Sequence, residues 1–293
     1  MTENGRLALV FDDGYRSDFA QLRPVLDARD APASFAIVSE WVARDGHLDV
    51  DQLRDLVDLG GEVLAHGRYH RVLRPHHLAD DVAADARRIP IESHVFPENE
   101  SGVHVGDEYE LVDADRRQTV TVAGKGSDEA APYVELAEPV ADSWSASETV
   151  FRLPDRLLDA EIRGSGADLR DHGFEPAGFV FPYDAADVRA HRIARSEYGV
   201  IPNAAVRSLP NPSGTPAWNL RRYYLETDAL TRVEIADYLD AVARDGGFGI
   251  LAGHSDWDTV PAERVRFVIE AARDRGIELT TFSECVGTAD RTR

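Results

Sequence analysis

Two adjacent carboxylates, Asp12 and Asp13, follow a short apolar segment near the N-terminus, in the sequence LALVFDDGYRS. Like charges side by side repel each other, and each resists losing its water, so folding alone gives no reason for the pair. A divalent metal ion would give it a purpose, because one carboxylate can bind the ion and the positive charge keeps both acids ionised. The pair therefore raises the hypothesis of metal-assisted chemistry, beside the simpler interpretation of an Asp-Asp-Gly turn.

Two histidines could complete such a site. His66 and His70 have the spacing that aims two imidazoles at one ion from a helical or tightly turned segment, although the spacing alone is equally a surface accident. With one aspartate they would form a set of two nitrogens and one oxygen that leaves room for water, as in catalytic zinc-type sites. We expect one divalent metal ion, with zinc first and Co, Ni, Fe or Mn also suited to these ligands.

These residues share a position with two others. Each lies where a predicted strand ends, as do His254 after GILAG and Tyr183 after GFVFP. The carboxyl ends of parallel strands are where sites form in barrels and open α/β sheets. We therefore expect these side chains to meet at one edge of a sheet.

The elements that must position them alternate between strand and helix. Short apolar strands are predicted at residues 7–11, 33–38, 62–66, 178–183, 199–202, 204–207, 221–226, 248–254 and 278–282. Amphipathic helices are predicted at residues 18–30, 51–60, 78–88, 154–173, 185–198, 232–246 and 261–276. This rhythm predicts an α/β fold with a parallel sheet or barrel.

One stretch breaks the rhythm. Between residues 90 and 154, apolar and polar residues alternate with period two around Asp/Gly turns, which is typical of antiparallel hairpins. We therefore divide the chain into a main unit, residues 1–89 and 155–293, and a small β-rich insertion, residues 90–154.

The charge of the chain limits its partners. Its 293 residues include 53 Asp and Glu against 32 Lys and Arg, a formal net charge of -21, which makes nucleic acid a poor partner. Lys125 is the only lysine. Acid excess with almost no lysine predicts adaptation to high salt, where self-repulsion is screened, although an ordinary acidic protein is the alternative.

The sequence also indicates a location. Cys285 is the only cysteine, so no internal disulfide forms. The N-terminus has no basic segment followed by a long apolar run, and no run of eighteen apolar residues occurs anywhere. We expect a cytoplasmic protein without a membrane span; the oligomeric state is left open.

Four motifs together resemble a known family. VFDDG, HGRYH, FPY and ILAGH occur in that order at strand ends, and the chain resembles the polysaccharide deacetylase family, the NodB-homology carbohydrate de-N-acetylases, over residues 1–89 and 155–290. The resemblance implies a distorted (β/α)7 barrel with a divalent-metal site, to which the β-rich insertion is added.

The resemblance also implies roles for individual residues. Asp12 would be the general base and His254 the general acid that protonates the leaving amine. The metal ligands would be Asp13, His66 and His70. The backbone N–H of Tyr183 would stabilise the oxyanion during hydrolysis of an N-acetyl or other acyl group by metal-activated water.

The motifs also depart from the family's pattern. Gly67 stands where Ser or Thr usually follows the first histidine, and Val180-Phe181 stands where an arginine often orients the base. Arg222, on another predicted strand, could supply that charge. Trp257, close to His254, is either a core residue or a wall on which a sugar ring stacks.

Three functions follow. The first is a metal-dependent hydrolase that removes an N-acetyl or other acyl group from an amino-sugar-containing carbohydrate. The second is hydrolysis of a small non-sugar amide such as a cyclic ureide. The third is a non-catalytic carbohydrate-binding protein on the same scaffold, which the acid–base pair of Asp12 and His254 disfavours.

Overall fold

The described residues form two sheets, each in a unit of its own. The computed structural model describes residues 5–92, 94–129, 131–204 and 209–286. The first compact unit comprises Met1–Arg68, Ile162–Asp184 and Ala194–Arg293, and the second comprises Tyr69–Glu161 and Ala185–Ile193.

The sheet of the first unit is parallel. Its strands are β1 (Arg6–Phe11), β2 (Ser34–Ile37), β3 (Glu62–Ala65), β10 (Pro202–Ala204), β11 (Leu220–Tyr224), β12 (Phe248–Gly253) and β13 (Glu278–Thr280). They follow the order β10-β11-β12-β1-β2-β3, and β13 pairs with the first half of β1. Because every pair is parallel, the carboxyl ends of the strands face the same edge.

The two edges of this sheet are joined by residues 178–180. These residues were expected to be a strand, but they make only a single parallel bridge, with Ala65. The Val180 N–H donates to the Ala65 carbonyl at 2.8 Å, and the Phe179 N–H donates to the Val200 carbonyl, just before β10, at 3.0 Å. The sheet thus closes irregularly, as a distorted barrel.

Alternate residues of the strands fill the barrel. The interior cluster is apolar and comprises Ala8, Val10, Ala36, Leu64, Val180, Val200, Leu220, Phe248, Ile250, Ala252, Phe282 and Cys285. Since successive strand residues point to opposite faces, this cluster identifies which face of each strand looks inward.

Helices connect the strands. They are α1 (Arg23–Asp27), α2 (Val50–Asp58), α3 (Asp155–Asp171), α4 (Val188–Glu197), α5 (Arg232–Asp245), α6 (Ala262–Arg273) and α7 (Phe282–Val286). A π-helical turn, Asp18–Leu22, precedes α1. Within the described ranges, none of the helices combines the length and the apolar character that a bilayer crossing requires.

The prediction of a helix at residues 78–88 is wrong. Leu78 and Val82 have helical spacing, but their backbones pair with other segments instead. The Val82 N–H donates to the Trp144 carbonyl, and the Trp144 N–H donates back, at 2.9 and 2.8 Å. Tertiary pairing has overridden the local periodicity here.

The sheet of the second unit is antiparallel, as the period-two pattern predicts. Its strands are β4 (His76–His77), β5 (Arg88–Pro90), β6 (Glu108–Val112), β7 (Arg117–Ser127), β8 (Pro132–Leu136) and β9 (Val150–Arg152), in the order β4-β9-β6-β7-β8-β5. Tyr109 on β6 stacks on Phe151 on β9, with ring centroids 4.4 Å apart.

Candidate active site

The polar residues of the site continue the inward-facing positions of the barrel strands. Asp12 lies two residues after Val10, His66 two after Leu64, Arg222 two after Leu220 and His254 two after Ala252, and each of these apolar residues belongs to the interior cluster. The period of two therefore directs four polar side chains to the same side as the core, at the carboxyl edge.

Backbone hydrogen bonds tie the strand ends together there. The Asp12 N–H donates to the Gly253 carbonyl at 3.0 Å, and the His66 N–H donates to the Ile37 carbonyl at 2.9 Å. Asp13 then turns the chain with a φ of 74°, in the left-handed region where Asp is among the more tolerated residues. Gly14 is also left-handed, and a Cβ there would lie 2.9 Å from Ile37 Cδ1, so the turn requires glycine.

The structure brings together the three predicted metal ligands. One ligand atom from each of Asp13, His66 and His70 lies within 4.8 Å of the others, and all three residues are buried. His66 Nδ1 lies 2.9 Å from the Val180 carbonyl oxygen, to which it donates, so Nε2 carries the lone pair and lies 3.3 Å from Asp13 Oδ1. A lone pair facing a carboxylate oxygen suits a cation between them, so the donor set fits a divalent metal.

The charges around His66 favour a cation at the same place. Burial by itself would lower the pKa of His66, but the adjacent carboxylates of Asp13 and Asp12 outweigh burial and raise it. The two carboxylates thus stabilise positive charge beside the Nε2 atom.

The loop after β3 favours glycine at position 67, where the resemblance would place Ser or Thr. Gly67 has a φ of 80°, which a Ser or Thr would adopt only with strain. Its carbonyl accepts the Ser39 N–H at 3.2 Å, and the next carbonyl, of Arg68, accepts the Glu40 N–H at 3.0 Å. The loop is thereby held by backbone bonds.

Arg222 pairs with Asp12. Its Nη1 lies 2.9 Å from Oδ1 and 2.7 Å from Oδ2 of Asp12, and its Nε and Nη2 lie 2.9 and 2.8 Å from Oδ1 of Asp184. Arg222 and Asp12 are each only 1% exposed. Burial would lower the pKa of Arg222, but the two carboxylates outweigh it and raise the pKa, so the guanidinium is a permanent cation. A cation from β11 therefore lies beside Asp12, where the resemblance would place an arginine of the FPY motif.

His254 has a carboxylate partner of its own. Its Nδ1 donates to Glu226 Oε1 at 2.9 Å, and its Nε2 lies 3.9 Å from Asp13 Oδ2. Burial would lower the pKa of His254, but the hydrogen bond to Glu226 and the charges of Asp13 and Asp12 raise it. Trp257 stacks on the imidazole at 3.9 Å and 12° and is 47% exposed, so it is not a core residue.

Tyr183 lies in a short 3-10 turn, Pro182–Asp184. Its φ of 56° is left-handed, and the Asp184 N–H donates back to the Phe181 carbonyl at 2.9 Å. Tyr183 thus directly precedes the carboxylate that holds Arg222. The oxyanion role of its N–H stays a prediction.

Sequence reasoning missed three acidic residues of this site. Glu226 ends the predicted strand 221–226, so the strand-end rule would have identified it, and Asp184 directly follows Tyr183. Asp18 gave no signal. It is fully buried next to the Ser17–Ser255 hydroxyl pair (Oγ–Oγ 2.7 Å), and burial raises its pKa well above the usual range.

Comparisons with known proteins point to one kind of fold. Residues 1–89 match the family model described as polysaccharide deacetylase. No curated protein sequence matches the chain.

Solved structures resemble the chain over nearly its whole length. The Xyl-CE4 domain of a multidomain xylanase from the hindgut metagenome of Trinervitermes trinervoides is 12% identical with a TM-score of 0.50, over 97% of this chain and 90% of that one. A wild-type CE4 family pseudoenzyme from Bacillus anthracis is 11% identical with a TM-score of 0.51, over 98% and 66%. A mutant of the same pseudoenzyme, with restored enzymatic activity, is 12% identical with a TM-score of 0.51, over 98% and 69%.

At these identities the likeness shows the fold alone, which is that of these CE4 structures. The predicted fold class, an α/β distorted barrel with an added antiparallel sheet, is confirmed.

Proposed function

We propose that this protein belongs to the polysaccharide deacetylase family and is a metal-dependent hydrolase that removes an N-acetyl or other acyl group from an amino-sugar-containing carbohydrate. The match of residues 1–89 to the family model supports the family, and the CE4 fold supports the reaction class. The substrate remains a carbohydrate of unspecified size.

One observation carries the proposal. The buried ligand set of Asp13, His66 and His70 is accompanied by two further groups, the carboxylate of Asp12 and the imidazole of His254, each with a fixed partner. A binding protein needs no such acid–base pair. A hydrolase needs a group to accept a proton from water and another to give one to the leaving amine.

The chain's own residues divide this work. A bound divalent ion would polarise the acyl carbonyl and lower the pKa of water, and zinc is the ion we propose. Asp12, paired with Arg222, accepts the proton of the attacking water. His254, held by Glu226 through Nδ1, donates a proton from Nε2 to the departing nitrogen. The N–H of Tyr183 donates to the oxyanion.

Two alternatives stay open. A cyclic ureide or another small amide would use the same acid–base pair. A non-catalytic carbohydrate-binding protein is the other alternative, and one of the similar structures is described as a pseudoenzyme, so the fold alone does not imply activity. The presence of Asp12, Asp13, His66, His70 and His254 favours the enzyme.

The test is acetate release from chitin oligomers, with ammonia or ring-opening assays on cyclic ureides in parallel. Protein purified without an affinity-tag metal is assayed after removal of metal by a chelator and after return of zinc or cobalt. The assays are run in dilute buffer and in molar KCl, because we propose that the acidic surface is adapted to high salt.

Metal-dependent acetate release from N-acetylated oligomers supports the proposal. Turnover of ureides alone supports the small-amide alternative. Saturable sugar binding without turnover in any metal or salt condition contradicts the enzyme. The cytoplasmic location stays a prediction.

A further inference from the structure

The backbone of His70 is in an unfavourable conformation. Its φ is 62°, in the left-handed region that residues other than glycine seldom occupy, and its side chain is buried. Such a conformation persists only when neighbouring contacts hold it. The proposed ligand therefore needs contacts that hold its loop in this conformation.

Glu161 on α3 contacts the backbone on both sides of His70. Its Oε1 accepts the Tyr69 N–H at 2.8 Å and the Arg71 N–H at 3.1 Å. Two N–H groups that flank a left-handed residue and converge on one oxygen form an anion-binding nest. Glu161 is fully buried, so its carboxylate occupies this nest without competition from water.

A buried arginine compensates the charge of Glu161. Arg71 Nη1 donates to Glu161 Oε2 at 2.7 Å, while its Nε and Nη2 donate to Asp107, and its guanidinium lies 4.4 Å from the centre of the Tyr69 ring. These hydrogen bonds join Glu161, Arg71 and Asp107 into one network around the loop.

A third contact fixes the peptide that follows His70. The carbonyl of His70 accepts the Gly102 N–H at 3.2 Å, and the Val72 N–H donates to the Gly102 carbonyl at 3.2 Å. The N–H groups before and after His70, and its own carbonyl, therefore all have fixed partners in the same unit.

We propose that Glu161 and Arg71 are positioning residues that hold His70 in its ligand conformation and so set the metal affinity of the site. This inference rests on the metal centre of the proposed function. It predicts that loss of the Glu161 carboxylate lowers metal affinity. Loss of another buried carboxylate of the second unit should lower stability without lowering metal affinity.

The test uses cobalt as the metal probe and compares Glu161→Ala and Glu161→Gln with Glu110→Ala and Glu110→Gln. Glu110 is a matched control, because it is also a buried acid of the second unit and pairs with Arg117 and Arg152, away from the loop. Cobalt affinity is measured by competition with a chromophoric chelator, and the visible cobalt spectrum reports histidine coordination. Unfolding midpoints of the metal-free proteins report stability.

Glu161→Ala is expected to weaken cobalt binding by about 10- to 100-fold, the scale of groups that orient a metal ligand, and to change the cobalt spectrum. Glu161→Gln keeps an acceptor oxygen for the two N–H groups, so its affinity should lie between those of Glu161→Ala and the wild type. The Glu110 variants should bind as the wild type does even where their unfolding midpoints fall. Equal cobalt affinity in matched Glu161 and Glu110 variants would overturn the proposal.

Two further results keep the test decisive. If Glu161→Ala does not fold, Glu161→Gln bears the test: weaker cobalt binding and faster amide exchange at Tyr69 and Arg71 than in Glu110→Gln support the proposal, and equality overturns it. A wild type that binds cobalt but hydrolyses no acetylated sugar contradicts the proposed function and leaves the positioning role intact. A wild type that binds no metal overturns both.

Discussion

The two groups proposed to transfer protons, Asp12 and His254, have opposite surroundings. Asp12 is 1% exposed and contacts a guanidinium that is itself fixed by a second carboxylate. His254 contacts a carboxylate and lies under Trp257, which is 47% exposed. A base that takes a proton from water is served by a neighbouring permanent cation, whereas an acid that must gain and lose a proton is served by a neighbouring anion and a route to solvent.

The largest expected effect is at the base. Asp12→Asn should lower kcat/KM by about 10²- to 10⁴-fold, because the amide cannot accept a proton, while metal content stays that of the wild type. Steady-state kinetics and metal analysis on the same preparation check this. Asp12→Asn activity within threefold of the wild type would remove Asp12 from the role of base.

The second-largest effect is expected on stability, from the loss of Arg222, the cation that contacts Asp12. Arg222→Gln leaves Asp12 and Asp184 buried without their guanidinium, and the free energy of unfolding should fall by about 3–5 kcal/mol. Urea unfolding measures the change. Arg244→Gln, which breaks an exposed pair with Asp245, is the control and should leave the unfolding midpoint unchanged.

A smaller, pH-dependent effect is expected on the acid side. Glu226 raises the pKa of His254, so Glu226→Gln should lower that pKa. Because the acid acts in its protonated form, the alkaline limb of kcat/KM should move to lower pH, with more activity lost above neutral pH than below it. A pH profile of the variant with an unmoved alkaline limb would contradict this assignment.

The smallest effect is expected at Trp257, the exposed residue that stacks on His254. Trp257→Ala should raise KM by about two- to tenfold with little change in kcat, on the scale of aromatic contacts, if a sugar ring packs on the exposed indole. Trp257→Phe should retain most of the affinity. Unchanged KM values on oligomers of every length would leave Trp257 as a cover for His254 alone.

The sequence predicts the positions of several site residues but not the contacts between them. Asp12, His66 and His254 stand at the ends of apolar strands, where a short local pattern fixes both position and direction. The parallel barrel strands and the antiparallel hairpins follow from similar patterns. The Arg222–Asp12 contact joins residues 210 positions apart, and only the folded barrel brings them together.

The failures of prediction have a common cause. Residues 78–88 have helical spacing, but Val82 exchanges backbone hydrogen bonds with Trp144, sixty-two residues away. Residues 178–180 form a single bridge where the barrel closes, although their apolar run resembles a full strand. In both cases a distant segment decides the local structure, and no local pattern encodes it.

The central claim is that the buried Asp13, His66 and His70 bind a divalent metal, and metal content tests it most directly. Protein purified without an affinity-tag metal in molar KCl is analysed by mass spectrometry beside Asp13→Ala and His66→Ala. We predict about one equivalent of divalent metal in the wild type and its loss in both variants. Absence of metal from the wild type, even after incubation with zinc or cobalt, would contradict the account.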